Sequence, residues 1–224
     1  MKAFKVDLDS RENQIILKPN TRHFNNQAHQ VDEAAKKIHE LIKEAKCSND
    51  DIILNHNEIK EAFFSPFKPQ LKNAQVFLSH SHADRNKALK VKNYLESETN
   101  QRVFIDSLFW DYKDDVLNEL AEYDDTSKIE DAFTLILRES LQDMIEKCPY
   151  FVFLQSNNSV SFNQDLSRIT YSAWIYEELK IANGLIADSA RQESHIKAMR
   201  VSHNITNLLR RFKLISLDSL SNLL

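Results

Sequence analysis

Glycine is almost absent from this chain. Its 224 residues include a single glycine, Gly184, where roughly 7% would be usual. Rossmann and P-loop phosphate sites need several glycines, because the backbone must approach the phosphates closely. The sequence therefore excludes both motifs and a Rossmann-bound hydride carrier, and any bound nucleotide would be held by side chains and ordinary loops.

Cysteines and long apolar runs are also scarce. Two cysteines, Cys47 and Cys148, lie far apart in the sequence, which suits neither a disulfide scaffold nor a metal knuckle. The chain shows no apolar N-terminal leader, and no apolar run approaches the roughly 18 residues that span a bilayer. We therefore expect a protein of the reducing cytoplasm with no membrane partner.

The charge balance argues against a nucleic-acid partner. The formal net charge is −4 and the pI is about 6.1, whereas general nucleic-acid binders depend on clustered Lys and Arg. Basic residues do gather between positions 197 and 213, but we interpret them as a solvated helix face. With 42% hydrophobic residues, the chain suits one α/β core with an extension.

The first 72 residues are predicted to form an extension made of a hairpin and helices. Apolar residues alternate with polar ones over 4–8, and a second apolar run covers 14–17, which predicts a small hairpin. Apolar residues at three- and four-residue intervals then predict helices over 30–46 and 58–64.

Two prolines, Pro66 and Pro69, mark the end of this extension. We accordingly divide the chain into an extension, 1–72, and a main domain, 73–224. The apolar stripe of the extension must pack on the main domain or on another copy of the chain.

The main domain alternates strands with helices. Short apolar strands are predicted over 76–79, 103–106, 150–154 and 213–217, and the third is apolar throughout, as in strands buried on both faces. This pattern predicts an α/β fold with a parallel sheet flanked by helices, in which ligands gather beyond the carboxyl ends of the strands. Three segments lie at that edge: 79–84, 107–110 and 156–174.

An acidic stretch over 111–131 follows the second predicted strand. A helix is predicted near 116–123, and the remainder is interpreted as an exposed insertion. Acidic crowding of this kind is more often a solvated surface than a metal site.

Trp174 and Glu178 form the most informative pair in the sequence. On a helix, residues four apart lie on the same face, so an indole and a carboxylate would be neighbours and suit a flat cationic ring above a sugar. The alternative is a solvated glutamate beside a core tryptophan.

The helix that carries this pair has a predicted core stripe of Ile175, Leu179, Ala182 and Ile186. The neighbouring stripe, with Glu178, is predicted to face a groove, and Glu177 a more exposed side.

Three segments resemble, in order and spacing, the TIR (Toll/interleukin-1 receptor) domains, particularly the bacterial kind. They are Val76-Phe-Leu-Ser-His-Ser-His-Ala-Asp84, Val103-Phe-Ile-Asp-Ser-Leu-Phe-Trp110 and Ser172-Ala-Trp-Ile-Tyr-Glu-Glu-Leu179. The resemblance covers about residues 74–217 and implies a flavodoxin-like fold. Many bacterial and plant members of the family cleave NAD with a glutamate at the position that aligns with Glu178.

The resemblance implies a cytoplasmic NAD glycohydrolase or ADP-ribosyl cyclase of bacterial anti-phage defence. NAD is then a substrate and no cofactor is expected. The product, ADP-ribose or a cyclic ADP-ribose, stays open. The implied partners are other copies, through the TIR domain, and an effector or sensor protein of the same defence system.

The resemblance also suggests substrate contacts. Ser79, His80 and Ser81 follow the first strand of the domain and are expected to contact phosphate or ribose. A second histidine follows Ser81, but metal ligands at suitable spacing are lacking, so no metal is expected. Asp106 is a ligand contact or a strand-end residue. Phe109 and Trp110 are a nucleotide wall or a subunit interface.

Part of the chain departs from the family pattern. The connection after the second strand, 107–130, is far longer than in family members, so its ligand contacts cannot be carried over. A noncatalytic TIR interaction module is the alternative function. A nucleoside deoxyribosyltransferase-like enzyme is a third, since that group also uses a glutamate on a flavodoxin-like sheet.

Overall fold

The structure is a computed structural model that describes residues 1–18, 31–46, 55–64, 73–105, 115–121, 127–162, 166–186 and 202–224. The chain divides into two compact units, neither continuous in sequence. Unit 1 contains Met1–Phe24, Ala74–Ser107 and Met144–Leu224, and unit 2 contains Asn25–Asn73 and Leu108–Asp143.

Five strands of unit 1 form a parallel sheet. They are β1 (Lys2–Asp7), β2 (Ala74–Ser79), β3 (Arg102–Ile105), β4 (Tyr150–Gln155) and β8 (Lys213–Leu214), in the spatial order β3-β2-β4-β1-β8. The strands β5 (Ser161–Phe162), β6 (Arg168–Thr170) and β7 (His203–Asn204) form a small antiparallel sheet. The predicted α/β class, with a parallel sheet flanked by helices, is confirmed.

The helices predicted over 30–46, 58–64 and near 116–123, and the helix that carries Trp174 and Glu178, are all present. The described helices are α1 (Arg11–Ile16), α2 (Val31–Lys46), α3 (His56–Phe64), α4 (Arg85–Glu98), α5 (115–121), α6 (Ser127–Lys147), α7 (Ala173–Ile186), α8 (Thr206–Leu209) and α9 (Leu217–Leu223), and a 3-10 turn covers His82–Asp84. The last predicted strand, 213–217, is too long, because α9 begins at Leu217. Among the described helices, none is long and apolar enough to cross a membrane.

Aromatic residues fill the centre of the sheet. Phe77 of β2 stacks on Phe151 of β4 with ring centroids 5.5 Å apart, and Phe212 meets Phe151 edge to face at the same distance. Phe77 and Phe151 are completely buried, and each contributes roughly 1.5–3 kcal/mol of apolar burial. The uninterrupted apolar run of β4 therefore lies at the centre of the fold, as its sequence predicts.

The predicted N-terminal hairpin is wrong. β1 lies inside the main sheet, parallel to β4 on one side and β8 on the other, and the second predicted strand is helix α1. Ser10 caps that helix, because its hydroxyl accepts a hydrogen bond from the Asn13 amide at 3.3 Å. Asn13 is buried, donates to the Asp7 carbonyl at 2.7 Å and accepts from the Leu217 amide at 2.9 Å. An N-terminal extension over 1–72 is not confirmed, since its first strand belongs to the sheet.

Unit 2 is helical in its described part. The facing sides of α2 and α3 bury Ile38, Ile42, Ile59 and Ala62. Within the acidic stretch, α5 buries Val116 and Leu120, which explains why a helix forms among so many carboxylates. The rest of that stretch up to residue 126 lies outside the described residues.

Candidate functional site

Ser79 ends β2 at the carboxyl edge of the parallel sheet. It pairs in register with Phe153 of β4, and its side chain is completely buried. His80 follows it and is also buried. Since the carboxyl ends of parallel strands meet at one edge, this is where ligands bind in open α/β sheets.

Helix α7 brings Glu178 to this edge. The helix begins after Ser172, whose hydroxyl accepts a hydrogen bond from the Ile175 amide at 3.2 Å. The predicted core stripe is confirmed at Ile175, Leu179 and Ala182, which are all buried, whereas its fourth predicted member, Ile186 at the end of the helix, is only half-buried. With this stripe against the core, the helix is fixed in rotation and Glu178 points inward.

The two buried side chains meet directly. The Ser79 hydroxyl donates to Oε2 of Glu178 at 2.5 Å, across 99 positions of sequence. A hydroxyl that donates to a carboxylate at such a distance makes a strong, charge-assisted hydrogen bond. This contact joins two sequence-predicted site residues at the end of β2.

Glu178 is more enclosed than predicted. An open groove was expected, but the residue is 0% exposed, because its carboxylate faces Ser79 rather than solvent. Glu177 is the more exposed of the two glutamates, as predicted, with 17% of its side chain accessible and Lys180 at 3.9 Å. Trp174, one turn before Glu178 on the same helix face, is half-buried.

A contact that the sequence did not predict holds the same helix to the small sheet. The Tyr176 ring stacks on the His203 ring of β7, with centroids 4.6 Å apart and planes 19° apart. Burial lowers the pKa of His203 below its ordinary value, which favours the neutral ring in the stack. The sequence could not predict this pairing, because the two residues lie 27 positions apart on different elements and periodicity relates only residues of one helix or strand.

The loop after β2 is closed by a short turn. The amide of Asp84 donates to the Ser81 carbonyl at 2.8 Å, and Asp84 precedes α4 as its N-cap residue without a side-chain capping bond. Its carboxylate instead accepts hydrogen bonds from the Ser156 hydroxyl and from the side-chain amide of Asn158, the latter at 2.9 Å. No spacing in the sequence could have indicated that pairing.

Lys87 joins two carboxylates at this edge. Its ammonium lies 3.1 Å from Asp9 and 3.4 Å from Asp84. Burial alone would lower the pKa of Lys87, but the hydrogen bond to Asp9 and the charges of both acids raise it. Burial would likewise raise the pKa of Asp9, but the Asn157 amide and Lys87 lower it. The loops after β1, β2 and β4 are thus tied together.

Three predicted site residues, Asp106, Phe109 and Trp110, lie outside the described residues. Within the described ranges, no three His, Cys, Asp or Glu side chains lie close enough together to hold a metal ion. Comparisons with family models, curated proteins and solved structures find no match. The similarity to TIR domains therefore depends on the three sequence segments.

Proposed function

We propose that this protein is a cytoplasmic TIR-family enzyme with a flavodoxin-like fold that cleaves the nicotinamide–ribose bond of NAD. The observation that supports it best is the buried pair of Ser79 and Glu178, 2.5 Å apart at the carboxyl edge of a parallel sheet. NAD as the substrate follows from the three segments that resemble TIR domains. A role in bacterial anti-phage defence, with self-association and a sensor or effector partner, belongs to the same proposal.

A single carboxylate suits this chemistry. As the bond between nicotinamide and ribose breaks, positive charge develops on the ribose, and a fixed carboxylate stabilises it. Nicotinamide leaves as a neutral molecule that keeps the bonding electron pair, so the second carboxylate of glycosidases is not needed. Attack by water, with loss of a proton, gives ADP-ribose. Attack by a nucleophile of the same molecule gives a cyclic product.

Ser79 and Trp174 have supporting roles in the proposal. The Ser79 hydroxyl orients the carboxylate through their hydrogen bond, and the half-buried Trp174 offers a face on which a ring of the dinucleotide stacks. Because Glu178 is completely buried, NAD must displace the side chains that cover it. His80 and Ser81, in the adjoining loop, would contact the ribose or phosphates.

Adjacent glutamates provide a matched test. Concentrated wild-type protein, Glu178→Gln and Glu177→Gln would be incubated with NAD, and the products separated by chromatography and identified by mass spectrometry. We expect nicotinamide from wild type and from Glu177→Gln. Glu178→Gln should release it at a rate reduced by about 100-fold or more. The second product identifies the acceptor.

Two results would contradict the proposal. Glu178→Gln with wild-type turnover would remove Glu178 from the reaction. Wild-type protein that releases no nicotinamide, even when crowded into assemblies, would exclude cleavage of NAD.

The burial of Glu178 also favours the second candidate, a noncatalytic TIR interaction module. In that case the hydrogen bond to Ser79 serves only to hold α7 against the sheet. Glu178→Gln would then lower the melting temperature and weaken self-association, while NAD stays intact with every variant.

A further inference from the structure

Asp84 is a buried carboxylate with a donor for each oxygen. It is 1% exposed. Its Oδ2 accepts from the Ser156 hydroxyl, and its Oδ1 accepts from the side-chain amide of Asn158 at 2.9 Å and lies 3.4 Å from the Lys87 ammonium. A buried charge is tolerated only when it is paired and hydrogen-bonded. These donors therefore fix Asp84 in one position.

The Ser156 hydroxyl is held in place from its other side. It accepts hydrogen bonds from the backbone amides of Asn158 at 3.0 Å and Ser159 at 3.2 Å. The Ser156 amide in turn donates to the Ser159 hydroxyl at 2.8 Å. The turn after β4 thus aims one hydroxyl at Asp84 in a defined direction.

Both ends of the loop after β2 are therefore attached to β4 or to the turn that follows it. At the first end, Ser79 pairs with Phe153 and bonds to Glu178. At the other end, Asp84 bonds to the turn that follows β4. The loop between them carries His80 and Ser81, and its conformation depends on both attachments.

We infer that Asp84 and Ser156 are positioning residues for the reaction at Glu178. They act through the loop 79–84 and touch no reacting atom. This inference rests on the proposed function, because it assigns the loop a part in binding and orienting NAD. Misplacement of such a loop by about 1 Å costs about 100-fold in rate.

Asp9 supplies a matched control. It lies 3.1 Å from the same lysine and accepts from the backbone amide of Asn157 at 3.0 Å, so it shares the surroundings of Asp84 but is not itself part of the loop 79–84. Asp84→Asn, Ser156→Ala, Ser156→Thr and Asp9→Asn would be compared in NAD turnover well below their melting temperatures. We expect Asp84→Asn and Ser156→Ala to lose about 10- to 100-fold in kcat/KM. The kcat/KM of Asp9→Asn should stay within about twofold of wild type. Ser156→Thr, which keeps a hydroxyl at this position, should retain most of the kcat/KM that Ser156→Ala loses.

A merely structural role would give a different pattern. Activity would then fall in proportion to melting temperature in all four variants, or Asp9→Asn would lose as much as Asp84→Asn. Either result would overturn the inference.

Hydrogen exchange separates the inference from the proposed function, because it requires no turnover. Peptides that cover 79–84 should exchange faster in Asp84→Asn and Ser156→Ala than in wild type and Asp9→Asn. Unchanged exchange would overturn the positioning role even if NAD is cleaved. In another outcome, exchange changes as expected while wild type leaves NAD intact. The bond between Asp84 and Ser156 would then hold the loop 79–84, but its role in NAD cleavage would be overturned together with the proposed function.

Discussion

Two polar clusters of this molecule contain the same kinds of ion pair in different surroundings. The sheet-end cluster of unit 1 consists of Asp9, Asp84, Lys87, Ser156 and Asn158. The helix-face cluster of unit 2 consists of His56, Lys60, Glu139 and Asp143. Lys87 lies 3.4 Å from Asp84, and Lys60 lies 3.7 Å from Glu139. The distances are alike, but the side chain of Asp84 is 1% exposed, whereas those of Glu139 and Asp143 are 45% and 53% exposed.

Burial, and not distance, sets what each cluster contributes. In water, an ion pair gains little beyond the hydration that its members lose, and salt screens it further. A buried carboxylate has no water to return to when a partner is removed, so each remaining group is left unsatisfied. The comparison predicts large effects of substitution at the buried members of the sheet-end cluster and small effects in the helix-face cluster.

Asp84→Ala should have the largest effect. It removes the acceptor of the buried Ser156 hydroxyl and of the side-chain amide of Asn158, and hydrogen bonds to a charged group contribute about 1.5–3 kcal/mol each. Urea denaturation should therefore show a lower midpoint with an unchanged slope. A loss below about 1 kcal/mol would mean that the surroundings relax around the cavity and that the cluster is not rigid.

Ser156→Ala should have the next largest effect. The hydroxyl donates to Asp84 and accepts from two backbone amides, and removing one partner of buried groups costs about 1–3 kcal/mol. Ser97→Ala is the control, because that exposed hydroxyl donates to the Tyr94 carbonyl at 2.9 Å. Its free energy of unfolding should change by about 0.5 kcal/mol or less. Equal losses in the two variants would contradict the comparison.

The Asp9–Lys87 pair should show its contribution as a dependence on pH. The pKa of Asp9 is lowered from 3.8, so its stabilisation is present above 3.8 and is lost as pH falls through the lowered value. The pKa of Lys87 is raised from 10.5, so its stabilisation is present below 10.5 and is lost as pH rises through the raised value. Both side chains are partly exposed, and we expect about 1 kcal/mol or less.

Thermal unfolding across pH checks this dependence. In Asp9→Asn the acid limb should become shallower than in wild type, and the change should diminish at high salt. Acid limbs that superimpose would show that Asp9 titrates alike in the folded and unfolded chain.

The sequence predicts the strands better than it predicts these clusters. The runs 76–79 and 150–154 lie within β2 and β4, and α7 buries three of the four residues of its predicted core stripe. The reason is local, because a strand or helix pattern depends on the residues of one segment. Local patterns likewise placed Ser79 at the end of a strand and Glu178 beside the core stripe of a helix, whereas their roles in a site came from the resemblance to TIR domains.

Long-range pairing is what the sequence does not contain. The alternating residues of β1 predict a strand but not its neighbours, β4 and β8, which are supplied by the far end of the chain. Lys87 and Asp84 are three positions apart, a spacing visible in the sequence, yet the burial of Asp84 depends on Ser156 and Asn158. The same spacing on a solvated helix would have looked identical.

The helix-face cluster should show the smallest effects. Glu139 lies 2.9 Å from His56, which lowers the pKa of this carboxyl through a hydrogen bond, but nearly half of its side chain is in water. Glu139→Gln and Asp143→Asn should therefore each change the free energy of unfolding by about 0.5 kcal/mol or less, and 0.5 M salt should remove most of that. Urea denaturation with and without salt measures both. A salt-resistant loss of more than about 1 kcal/mol would show that this surface is covered in solution, and exposure would then no longer separate the two clusters.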